Sequence, residues 1–292
     1  MTLGYTSSEH IQDAEGRQYH IGLAPGEVAD FIMLVGDPAR ATRVAGLLDE
    51  IELERRHREY VTYTGSHEGL RLSVMATGMG PDNTEIAVIE VCQCVRQPTM
   101  VRCGSSGGLQ RTVALGDLVI AKAAYRLEHT SLQYVGEGYP AIADLEVVLA
   151  LIRVAEELGL RYHVGITATA SGFYGAQGRH LPGFSPRYPH LLAELERQGI
   201  LNFEMETSCL LTLASLRGFR AGAVCAVYAS RHQDTFISPE GQDAAELHCI
   251  MTGLHAFHYL AVLDQQRGDK PHWHPGLGAD GKLGGLSVDR AT

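Results

Sequence analysis

The chain has 292 residues, 45% of them hydrophobic, and its 34 acidic side chains outnumber 24 basic ones to give a formal charge of -10. That content suits the core of a globular domain, while the acidic balance excludes a nucleic-acid partner, which needs a basic stripe, and an anionic membrane surface. With a polar N-terminus and no apolar run of about 18 residues, neither a signal peptide nor a membrane span is expected, and the expected location is cytoplasmic.

The first strand is predicted at 31–35 (FIMLV), an apolar run with the look of a strand buried on both faces. It leads into Gly36, Asp37, Pro38, Ala39 and Arg40. Gly36 lets backbone approach a ligand, Pro38 suits a first helical position, and a helix N-terminus favours phosphate. Arg40 in that first turn opposes the helix dipole unless an anion lies between them. The predicted helix runs over 38–48. Arg58 follows in HREY (57–60), placed at the start of a strand. A strand at 70–76 precedes a helix at 82–97, which Asp82 and Glu85 would open as a capping box.

The strand predicted at 99–103 ends in VRCGSSGG (101–108), where Arg102, Ser105 and small residues suit an oxyanion or merely form a turn. Strands at 116–123 and 163–170 flank a helix at 144–158. The loop FYGAQGR (173–179) then sets an aromatic ring, Phe173, near the carboxamide of Gln177 and the guanidinium of Arg179. By itself this is either a solvated turn or a grip on a flat imide ring, since it offers a stacking face, a donor and acceptor, and further donors. A helix at 189–198 precedes NFEMET (202–207) and the helix at 206–217, whose Glu206 is either an acid stabilised by the helix dipole or an acceptor for vicinal hydroxyls. The last strand, 221–229, and last helix, 241–263, complete an alternation that predicts a single α/β domain over 18–267 with a mixed, largely covered sheet. Gly159, Gly199 and Gly218 are expected as helix C-caps.

Residues 1–17 and 268–292 are expected as flexible extensions. The HxH pair His272 and His274 lacks further ligands, and Cys92, Cys94, Cys103, Cys209, Cys225 and Cys249 lie in apolar runs without CxxC spacing. Reduced buried thiols are expected, and no metal site.

GDPAR, HREY, ATGMG, VRCGSSGG, FYGAQGR and NFEMET, in that order, resemble the nucleoside phosphorylases of the hexameric type over about residues 20–266. The resemblance implies a mixed, partly barrel-like sheet flanked by helices and the phosphorolysis of uridine to uracil and ribose 1-phosphate, with no cofactor and inorganic phosphate as co-substrate. It assigns phosphate to Gly36, Arg40, Arg102 and Ser105, with Arg58 reaching in from a neighbouring subunit. Ribose falls to Glu204, Met205 and Glu206, with His20 of the adjacent subunit near the 5′-hydroxyl. The base falls to Phe173, Gln177, Arg179, Arg231 and Tyr228. Arg102, Glu206 and Arg231 carry the catalytic roles. A homo-oligomer is implied, at least a dimer and in this family a hexamer.

Three alternatives compete with this reading. Purine members place an aspartate after the serine where Ser230 is here followed by Arg231; hydrolytic relatives lack the phosphate arginines; and a nucleoside-binding protein of the same fold need not turn over. Some positions depart from the family. Gly172 replaces an acidic residue at the loop entrance. Tyr228 and Ala229 stand where aliphatic side chains line the uracil pocket, which leaves open the choice among uridine, deoxyuridine and thymidine. Glu85 replaces a small hydroxyl residue near Glu59, so the monovalent cation that relatives hold at a dimer interface is not expected unchanged.

Overall fold

Met33 and Val35 face one core cluster while Ile32 and Leu34 face another, so the first strand is buried on both sides, as an unbroken apolar run requires. The structure is a computed structural model that describes residues 7–275. In chain order its elements are β1 (Phe31–Val35), α1 (Pro38–Ala45), β2 (Glu50–His57), β3 (Tyr60–His67), β4 (Leu70–Ala76), α2 (Pro81–Cys94), β5 (Thr99–Gly108), β6 (Leu118–Leu127) and β7 (Ala141–Ile142). There follow α3 (Leu145–Glu157), β8 (Tyr162–Ala170), α4 (Leu191–Arg197), β9 (Asn202–Glu204), α5 (Thr207–Arg217), β10 (Arg220–Ser230), β11 (Thr235–Phe236) and α6 (Pro239–Arg267).

The sheet closes on itself. β10 pairs with β6, β6 with β8, β8 with β9, β9 with β5, and β5 returns in parallel to β10. From β5 the sheet continues open through β1, β4, β3 and β2. The expected α/β fold with a partly barrel-like mixed sheet is therefore the observed one. Helices α1, α3 and α6 cover one face through Val44, Leu151, Val154, Leu254 and Phe257, and α2 and α5 cover the other through Val88, Val91, Leu210 and Leu211.

Several boundaries differ from expectation for local reasons. The capping box at α2 does not form: its N-cap is Gly80, with no side-chain cap, and Asp82 and Glu85 instead accept hydrogen bonds from the hydroxyls of Thr130 and Tyr134. Helix α6 starts at Pro239 because Ser238 caps it through the Gly241 N–H at 3.1 Å. Arg58 lies in the turn between β2 and β3 with φ 53°, not inside a strand. Gly159, Gly199 and Gly218 adopt φ of 63°, 75° and 76° at helix ends, as C-cap glycines do. Of the expected extensions, residues 7–17 and 268–275 contact the body: Arg17 pairs with Glu27 at 2.6 Å, and the Trp273 N–H donates to Glu146 at 3.1 Å. Residues 1–6 and 276–292 lie outside the described residues.

Candidate active site

Strands β1, β5 and β10 run parallel, so their C-terminal ends emerge together, the place where open α/β sheets bind ligands. A cleft of about 770 Å³ lies there. Of the residues proposed from sequence, Gly36, Arg40, Arg58, Arg102, Ser105, Phe173, Gln177, Arg179, Glu204, Met205, Glu206 and Tyr228 all line it. His20 and Arg231 do not.

Arg102 sits inside β5, and its guanidinium runs forward along the strand over Gly104. A Cβ at Gly104 would fall 1.6 Å from Arg102 Nη1, so this small residue of VRCGSSGG clears the path of an arginine. Arg102 donates to Glu206 Oε2 and to Cys225 Sγ at 3.2 Å, and lies 3.6 Å from Glu204. Burial disfavours the guanidinium charge, but Glu206, Cys225 and Glu204 more than offset it and raise the Arg102 pKa.

Glu206 opens α5. Its other carboxylate oxygen accepts the Gly80 N–H at 2.6 Å. Glu204, assigned to ribose by resemblance, is committed to the protein: one oxygen accepts the Glu206 and Thr207 N–H groups, each at 2.8 Å, and the other accepts the Thr169 hydroxyl. It satisfies donors at the start of α5 that would otherwise be orphaned, and so holds Glu206 in place.

Arg40 resolves its awkward position by leaving the helix end. It donates to Glu246 on α6 at 2.8 Å and to the Cys103 carbonyl at 3.2 Å, and despite burial its pKa is raised, chiefly by Glu246. The end of α1 is less open than expected, because Asp37 accepts the Ala39 N–H at 2.8 Å. Glu246 escaped the sequence reading: an acid in a helical run gives no sign of a partner on another element.

Tyr228 is the extra residue of a bulge in β10, where Val227 pairs with Ser106 and Ala229 with Gly107. Bulges beside sites re-aim side chains, and here the Tyr228 hydroxyl donates to Glu246 at 3.3 Å. Its polar end is thus held on the Arg40 side of the cleft that its residue lines.

The FYGAQGR loop is bound to itself. Gln177 is 3% exposed, and its carboxamide oxygen accepts from Arg179 at 2.7 Å. Arg179 also donates to the Phe173 carbonyl and stacks 3.7 Å from the Phe173 ring centroid, so one ring face expected to serve a base carries a guanidinium. Arg231, behind the loop, donates to the Gln177 carbonyl at 3.1 Å. Burial and the neighbouring Arg231 lower the Arg179 pKa to about 10, and burial lowers that of Arg231. Such underscreened cations stabilise developing negative charge. Gly172 does not constrain the loop entrance: a Cβ there would meet only Ala176 at 3.5 Å.

Two residues assigned across an interface behave differently. Arg58, with its guanidinium 4.6 Å from the Tyr19 ring centroid, lines this chain's own cleft. His20 is held elsewhere, its backbone N–H and Nδ1 on Glu90 at 3.0 and 2.6 Å. Glu59, the cation-site position, lines the cleft, while the Glu85 carboxylate is taken by Tyr134.

The family described as the phosphorylase superfamily matches residues 30–250. A uridine phosphorylase of Thermococcus kodakarensis is 45% identical over 95% of this chain and 99% of that one. A guanosine phosphorylase of Halorubrum lacusprofundi is 33% identical over 72% of this chain and 83% of its own length. Among solved structures, a Trypanosoma brucei nucleoside phosphorylase described as showing uridine phosphorylase activity superposes with a TM-score of 0.79 at 26% identity, covering 85% of this chain and 99% of that one.

Proposed function

This chain belongs to the phosphorylase superfamily, and on that premise we propose that it cleaves uridine with inorganic phosphate to uracil and ribose 1-phosphate. The observation that carries the reading is the meeting, in one cleft, of Arg40 and Arg102, the Glu206 carboxylate, and the Gln177 and Arg179 pair. Phosphate sits between the two arginines near Ser105, where bidentate contacts suit it. Glu206 accepts the ribose hydroxyls and favours positive charge at C1′. A phosphate oxygen then bonds to C1′ as the C1′–N1 bond breaks. The electron pair leaves with uracil, whose anion Arg179 and Gln177 stabilise from the loop and Arg231 from behind it before it takes a proton from water. Positioning and fixed charge account for the acceleration, and no cofactor enters.

His20 lies away from the cleft of its own chain, so its role at the 5′-hydroxyl requires a second copy, and the proposal is of a homo-oligomer, at least a dimer. Cytoplasmic location is part of the same reading; among the described residues no helix is long and apolar enough to cross a membrane. A guanosine phosphorylase among the relatives supports a second reading, in which the cleft takes a purine. Comparing kcat/KM for uridine, deoxyuridine, thymidine, inosine and guanosine tests the choice: preference for a purine nucleoside would overturn the assignment of Gln177 and Arg179 to a uracil edge.

A further inference from the structure

Val61, near the start of β3, lines the cleft, while His67, at the other end of the same strand, meets α6. There His67 Nδ1 and His258 Nε2 lie 2.9 Å apart. The ligand atoms of His67, His258 and Glu68 all fall within 4.8 Å of one another. We propose that these three residues form a site for a divalent transition-metal ion, with His255 as a reachable fourth ligand.

The backbone holds the cluster together. Glu68 and Gly69 have φ of 48° and 78°, the two positive values that a tight type I′ hairpin turn demands, and the Glu68 N–H is tied to Asp49 at 2.6 Å. His255 and His258 are three residues apart on α6 and so share a face; the His255 ring centroid is 5.8 Å from that of His67 and 6.3 Å from that of His258. His67 is 7% exposed, which keeps its ring in place against the helix. An ion with Zn–N bonds of about 2.0–2.1 Å in tetrahedral geometry separates two nitrogens by about 3.3 Å, so the rings need to part by only a few tenths of an ångström. Imidazoles with one carboxylate select zinc, cobalt or nickel over calcium or magnesium.

A bound ion would tie the β3–β4 turn to α6, the helix that presents Glu246 to Arg40. An ion held by the folded chain alone also raises its melting temperature. The competing arrangement is a plain hydrogen bond between two neutral rings, with no ion.

The test uses the untagged full chain, stripped with chelator and titrated with zinc by calorimetry, with melting temperature read in parallel. One ion per chain and a saturable rise in melting temperature are expected. His258→Gln, at a half-buried helix position, should weaken binding by more than the roughly 10–100-fold that losing a residue which merely orients a ligand costs. Glu68→Gln, in an exposed turn, should weaken it measurably and serves where the first variant fails to fold. His272→Ala/His274→Ala should leave it unchanged. Cobalt in place of zinc should give visible absorption that His258→Gln abolishes. Absence of saturable binding, or binding that survives His258→Gln and disappears in the His272/His274 double variant, overturns the proposal.

Discussion

Arg102 and Glu206 form an ion pair inside the cleft, with side chains only 7% and 6% exposed. The cation expected to meet phosphate and the carboxylate expected to meet ribose are thus each other's partner, and Glu204, fully buried beside them, keeps Glu206 oriented. Phosphate would give Arg102 a second anion while ribose hydroxyls give Glu206 new donors, so the pair readies both groups in one place.

Arg102→Ala leaves two buried carboxylates without their counter-charge. Removing one partner of a buried pair costs about 3–5 kcal/mol, and losing a charge aimed at the reacting group costs roughly 10² to 10³ in rate. Denaturant unfolding and steady-state kinetics in phosphate should show both losses. Arg102→Lys should recover stability better than rate, because a point charge cannot reproduce a planar fork.

Gly104→Ala should damage activity far more than Gly107→Ala. At Gly104 the added carbon meets the Arg102 guanidinium at 1.6 Å, whereas at Gly107 it meets Arg231 Cγ at 3.3 Å, a contact the side chain relieves by a small shift. Kinetics in varied phosphate should show at least a tenfold loss for Gly104→Ala, about 1.4 kcal/mol or more in transition-state binding, with near-wild-type folding by circular dichroism.

Glu204→Ala removes the acceptor at the start of α5. A lost helix cap costs about 0.5–2 kcal/mol, and Glu206 loses its orientation as well. Glu204→Gln keeps one acceptor oxygen for the Glu206 and Thr207 N–H groups and should be the milder variant in both melting temperature and kcat. Equal damage from the two would contradict a positioning role.

Much of this was legible and some was not, for identifiable reasons. Unbroken apolar runs such as 31–35 and 221–229 predict strands buried on both faces, and they lie at the centre of the sheet. β2 was missed because EIELERRH alternates charged residues on an exposed strand, and β7, β9 and β11 are two or three residues long, too short for any period to register. Ordered motifs located the cleft, but partners far apart in sequence could not be read: Glu246 lies 206 residues from Arg40, and His258 lies 191 from His67. Glu204 was expected at the ribose, while the geometry makes it a support for Glu206; Gly104 stood only as one small residue of VRCGSSGG, and the geometry makes it a support for Arg102.

Glu246 gives the protein an acid limb. Burial favours its neutral form, but Arg40 and Arg43 outweigh that and hold its pKa below the usual 4.5. The folded state therefore binds the proton more weakly than the unfolded chain. The stabilisation is complete above about pH 4.5 and fades as pH falls through the folded value. Melting temperatures taken between neutral pH and pH 3 should fall less steeply in Glu246→Gln than in the wild-type chain.

The most direct measurement follows ribose 1-phosphate formed from uridine by the purified chain, with phosphate and without it, in parallel with Arg102→Ala. The predicted result is stoichiometric uracil and ribose 1-phosphate, strictly dependent on phosphate and reduced by roughly two to three decades in the variant. Uracil released with free ribose in the absence of phosphate, or wild-type phosphorolysis by Arg102→Ala, would contradict the account.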